Sequence, residues 1–139
     1  MNATNSTSEY LLLFRGKEWD RNLSPAELQK IMTDFSAWFE RLSAAGVIKG
    51  AQPLTDDGRI VSGKNGCTVA DGPFAESKEA VGGYFLIKAE SFDAAVAIAQ
   101  QCPMLEHGSS VEVRPIAEDC PTLQRVQKKI AEELAPVGA

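Results

Sequence analysis

The stretch Asp71-Gly72-Pro73-Phe74, with Glu76, Lys78 and Glu79 close behind, concentrates the residue types that acid–base chemistry uses. Two readings follow. In the first, Asp71 accepts backbone N–H bonds in an Asx-turn, Gly72 permits a sharp bend, Pro73 sets the exit direction and Phe74 is an apolar anchor. In the second, Asp71 or Glu76 is a buried general base with a raised pKa. His107, the sole histidine, stands between Glu106 and Gly108 just before an alternating segment. It is either a surface loop residue or an acid–base partner titrating near neutral pH, with Asp71 as its mate.

Glu112 and Arg114 are two apart in Val111-Glu-Val-Arg-Pro115, so they share one face of a strand. They either neutralise each other or line a polar cleft, where Arg114 would be the fork for a ligand carboxylate. A small-molecule site is expected where the Asp71 loop meets this strand, from Asp71, Glu112, Arg114 and His107. Nucleophilic catalysis has little material: there is no G-x-S-x-G, and Cys67 beside Gly66 is the best reactive thiol. Trp19 and Trp38 read as packing residues.

No metal or cofactor site is expected. One histidine and three scattered cysteines (Cys67, Cys102, Cys120) without a C-x-x-C do not make a zinc site. Gly58-Arg-Ile-Val-Ser-Gly63-Lys64-Asn65 meets G-x-x-x-x-G-K but has Asn where Mg²⁺ needs a hydroxyl, and a β-like segment follows where a helix should hold phosphate.

The elements that must position these residues are legible. Tyr10–Phe14 is a strand apolar at every position. Ser24-Pro25-Ala26-Glu27 opens a helix with a capping box and Pro at its first position. Its expected stripe is Leu28, Ile31, Met32, Phe35, Phe39 and Leu42, and Gly46 ends it. A strand over Val47–Pro53 comes next. Asp57-Gly58 is read as the turn of a hairpin excursion with short strands at Arg59–Val61 and Thr68–Ala70. Tyr84–Ile87 is a further buried strand. Ser91 caps a helix carrying Phe92, Ala95, Val96 and Ala99, stopped by Pro103. Pro121 opens a last amphipathic helix through Leu123, Val126, Ile130 and Leu134.

Two β-α-β units separated by a hairpin predict an α+β, ferredoxin-like sandwich, an antiparallel sheet with helices on one face. The bare face would carry apolar side chains, and a second copy of the sheet is the expected cover, making a homodimer. The organisation expected is a tail over residues 1–8, one domain over 9–117, and a C-terminal helix and tail over 118–139.

Composition narrows the function classes. The 139 residues carry a net charge of −5, and no basic run exists, so nucleic acid is an unexpected partner. No apolar run approaches the ~20 residues of a membrane span. The polar first eight residues lack a basic n-region and an apolar h-region, so a cytoplasmic location is expected.

The motifs Asp71-Gly-Pro-Phe-Ala-Glu-Ser-Lys-Glu79, Gly82-Gly-Tyr84 and Gly108-Ser-Ser-Val-Glu-Val-Arg-Pro115, in this order, resemble the YCII-related, DGPF-motif family over about residues 9–117. The resemblance implies a dimeric α+β barrel, the ferredoxin-like variant read above. It also implies, for many members, a link to extracytoplasmic-function sigma factor systems. One branch of the wider family has a proposed His–Asp pair with its histidine in the first helix; this chain has Phe35-Ser-Ala-Trp38 there. The leading expectation is a homodimer binding a small polar or anionic molecule. The alternatives are a regulatory module docking a sigma factor and an acid–base enzyme using Asp71 with His107.

Overall fold

Tyr10–Phe14 forms the body of β1 (Ser8–Arg15), the strand around which the molecule is organised. The computed structural model describes residues 7–16, 18–73 and 79–134. Phe74, Glu76 and Lys78 of the expected loop lie outside these residues, as do residues 1–6 of the expected tail. Ser8, placed in that tail by sequence, pairs with Ala89 in the sheet.

The remaining elements are α1 (Pro25–Ala44), β2 (Ile48–Pro53), β3 (Arg59–Ser62), β4 (Thr68–Asp71), β5 (Val81–Ala89), α2 (Phe92–Ala99), β6 (Ser110–Pro115) and α3 (Pro121–Glu133). Short 3₁₀ turns occupy Lys64–Gly66 and Pro103–His107. Four strands form an antiparallel sheet in the order β2-β5-β1-β6, the ferredoxin-like arrangement, and β3 and β4 form a separate two-stranded ribbon.

Alternation along the strands sorts side chains onto two faces. Tyr10 and Leu12 of β1 join Phe85, Ile87 and Ala89 of β5 in the core, with Leu12 and Ile87 fully buried. Both α1 and α2 pack on this face, through Ile31, Trp38 and Leu42 and through Ala95 and Ala99. The opposite face presents Leu11, Leu13, Tyr84 and Leu86, all half-buried. Register places Leu11 beside Leu86 and Leu13 beside Tyr84, so the four make one apolar patch.

The start of α1 is built as its residues dictate. The Ser24 hydroxyl accepts from the Glu27 N–H at 3.2 Å, and the Glu27 carboxylate accepts from the Ser24 N–H at 2.9 Å. That backbone bond, then the hydroxyl, hold the Glu27 carboxyl below its ordinary range. Gly46 follows the helix with φ of 76°, the left-handed conformation a terminating glycine adopts.

Two expectations need correction. Trp38, 1% exposed, joins Ile31, Phe35, Phe39 and Leu42 on the core side of α1, whereas Met32 is 48% exposed. Ile31, Phe35, Trp38 and Leu42, at spacings of 4, 3 and 4, define the centre of the stripe, and Met32 stands about 100° past Ile31. The ribbon's turn is Gly63–Cys67, not Asp57-Gly58, which lies at its foot. There the two chains approach closely. The Gly72 N–H donates to the Gly58 carbonyl at 3.0 Å, and a Cβ on Gly58 would sit 2.6 Å from the Gly72 oxygen. Gly72 itself has φ of 139°, a conformation glycine accepts without strain.

Candidate functional site

Where β1 runs out at Phe14 and Arg15, the sheet and α1 diverge and leave a cavity of about 440 Å³. Phe14 points to the core face and meets Phe85 edge-on, with ring centroids 4.8 Å apart at 73°. Phe35 and Phe39, one turn apart on α1, face the same ring at 6.0 and 5.3 Å. Trp19, from the segment entering α1, completes the aromatic lining. Five of the chain's ten aromatic residues therefore frame one cavity, a size and character typical of a small-molecule site.

Two glycines on β5, Gly82 and Gly83, form one wall opposite Ala51, Gln52 and Pro53 of β2. A Cβ on Gly83 would sit 2.8 Å from the Gln52 carbonyl oxygen and 3.2 Å from Pro53 Cα, so this close pairing requires glycine.

The polar groups are few. Ser109, buried, donates its hydroxyl to the Arg15 carbonyl at 2.8 Å, tying the end of β1 to the start of β6. Arg15 also lines the cavity. Its Nε and Nη2 both reach Glu112 Oε1 at 2.8 Å, and its Nη1 donates to the Glu79 carbonyl at 2.7 Å. On the other oxygen of Glu112, Arg114 Nη1 stands 3.8 Å away. Two guanidinium groups thus share one carboxylate; register sets Glu112 beside Leu13 and Arg114 beside Leu11 on the sheet face opposite the cavity, and of the three residues Arg15 is the one in its lining. Behind the pocket, Trp38 touches the rings of Phe14, Phe35 and Phe85, and its buried indole N–H has no acceptor among the described residues.

The residues singled out by sequence are distributed over three places. Glu112 and Arg114 share a strand face and do pair, and Arg15 joins them. His107 ends the 3₁₀ turn before β6, half-buried, close enough to Glu27 to favour that carboxylate's charge. Asp71 lies on the ribbon, its side chain 76% exposed and paired with Arg59 at 2.8 Å. The expectation of a buried Asp71 is therefore corrected. The ribbon stands apart from the four-stranded sheet, and every residue of β3 and β4 is exposed. Nor does Asp71 pair with Glu112, Arg114 or His107 among the described residues. Its partner is a surface cation, an interaction contributing about 0–1 kcal/mol.

Cys67 and Cys120 are exposed, while Cys102 is buried and its thiol is pushed up by burial. Among the described residues no group of three or more His, Cys, Asp or Glu side chains converges as metal ligands, and no helix is long and apolar enough to cross a membrane.

Sequence reasoning missed Arg15 and the aromatic lining. The available signal was the Phe35/Phe39 pair at helical spacing together with Trp19, aromatic residues in excess of what one helix stripe needs. Trp38 is the packing residue it was read as; Trp19 lines the cavity as well as packing on the core.

A family model described as "YCII-related domain" matches residues 9–119. An uncharacterized protein of Rhizobium meliloti (strain 1021) is 33% identical over 98 residues, which cover 68% of this chain and 79% of that protein.

Proposed function

The chain belongs to the YCII-related domain family, and from that premise we propose that it is a homodimeric small-molecule-binding protein whose ligand is an apolar, ring-bearing molecule with an anionic group. The observation that carries this reading is the aromatic cavity of about 440 Å³ with Arg15, held by Glu112, in its lining. Apolar walls supply affinity by removing ligand surface from water at ~25 cal/mol per Å². Arg15 supplies selectivity for an anion and, already oriented by Glu112 and the Glu79 carbonyl, needs little further ordering. The described lining contains no carboxylate, imidazole or thiol side chain, which favours binding over acid–base turnover.

The homodimer has its own support. Leu11, Leu13, Tyr84 and Leu86 form an apolar patch on the face that no helix among the described residues covers, and a second sheet of the same kind is its natural complement.

Trp19 fluorescence tests the binding reading. Titration with 2-naphthoate should quench it saturably, with about tenfold preference over the neutral 2-naphthalenemethanol. Arg15→Gln should erase that preference, and Ala51→Phe, which places a ring in the cavity, should abolish binding of both. No saturable binding, or binding that survives Ala51→Phe, overturns the assignment. A sedimentation mass that stays at 15.0 kDa at micromolar concentration overturns the dimer.

A further inference from the structure

The helix α3 and the β3–β4 ribbon are the two elements the fold leaves without support. Every described residue from Arg114 to Leu134 is exposed, and so is every residue of both ribbon strands. A lone two-stranded ribbon of four-residue strands is at best marginally stable in water, and so is a 13-residue helix on its own. Each nevertheless has an ordered apolar face. Leu123, Val126, Ile130 and Leu134 form a stripe on α3 and are 45–77% exposed. Val61 and Val69 are register partners on the ribbon, about 60% exposed, and share its face with Arg59 and Asp71.

Resting on the homodimer reading above, we propose that α3 of one copy lies across the β3–β4 ribbon of the other, and the reverse, so that the two chains exchange arms. Two features select a second copy as the occupant. Both uncovered elements belong to the same chain, so a two-fold axis lets each cover the other without leaving either bare. The area is of the right size. At about 100 Å² apiece, the six apolar residues offer on the order of 600 Å² per chain, near the ~800 Å² per partner of a standard interface once polar stems are included.

Sedimentation equilibrium of four samples decides the matter: wild type, Leu123→Asp/Ile130→Asp, Val61→Asp/Val69→Asp, and an equimolar mixture of the two variants. All substituted positions are exposed in the single chain, so circular dichroism should report a folded domain in each. Each variant alone loses both exchanged contacts and should weaken the dimer at least tenfold. The mixture pairs an intact α3 with an intact ribbon once per dimer and should recover an intermediate dissociation constant. A wild-type dimer unmoved by either variant refutes arm exchange and leaves the homodimer standing; a monomeric wild type refutes both. Weakening by the α3 variant without recovery on mixing means that α3 pairs with its own mate, and the proposal fails. If the ribbon variant unfolds, the same pattern is read from Val61→Thr/Val69→Thr, which keeps the β-branched shape of the strands: it should weaken the dimer, and mixing with the α3 variant should recover an intermediate constant.

Discussion

Replacing Trp38 separates packing from hydrogen bonding at the back of the cavity. The side chain is 1% exposed and in ring contact with Phe14, Phe35 and Phe85, yet its N–H has no acceptor among the described residues. Two terms of opposite sign follow for Trp38→Phe. Shrinking indole to benzene removes about 40 Å² of buried apolar surface, roughly 1 kcal/mol at ~25 cal/mol per Å², with a small cavity term added. Removing an unpaired buried donor returns about 1–3 kcal/mol. The net change should fall within about 1.5 kcal/mol of zero. Trp38→Ala, by contrast, deletes the whole ring and should cost about 3–5 kcal/mol. Urea denaturation followed by far-ultraviolet circular dichroism measures both, with Trp19 left as the only fluorophore for binding work. A loss for Trp38→Phe as large as for Trp38→Ala would mean the indole N–H is bonded in the folded protein, and the argument would be wrong.

Gly83→Ala should destabilise by about 1–3 kcal/mol, because its Cβ meets the backbone of Gln52 and Pro53, which cannot yield as a flexible side chain would; a Tm equal to wild type would contradict the close β2–β5 pairing. Of the three thiols, Cys67 and Cys120 should react with an aromatic disulfide reagent at once at pH 8, and Cys102 only on unfolding, since burial disfavours its thiolate. Three equally fast thiols in the native protein would refute the buried position.

The order of elements and their ends were legible in the sequence because their causes are local. The Ser24–Glu27 box, the Pro at the start of α1, the Gly46 stop and the Ser91 cap each act within a few residues of the chain. The alternation of β6 and the apolar runs of β1 and β5 likewise announce their own burial, and together they yield the ferredoxin-like α+β arrangement. Pairing between Glu112 and Arg114 could be read from a two-residue spacing. What tertiary structure alone decided are the relations between distant segments. Arg15 and Glu112 are 97 positions apart, and only the antiparallel register of β1 with β6 brings them to hydrogen-bond distance. The cavity draws its lining from residues 14 to 109, assembled by the strand order β2-β5-β1-β6, so no window of sequence contains it. The exposure of Asp71 was not legible for the same reason. Its neighbours describe a turn well enough, but whether that turn is buried depends on where the ribbon stands relative to a sheet it does not join.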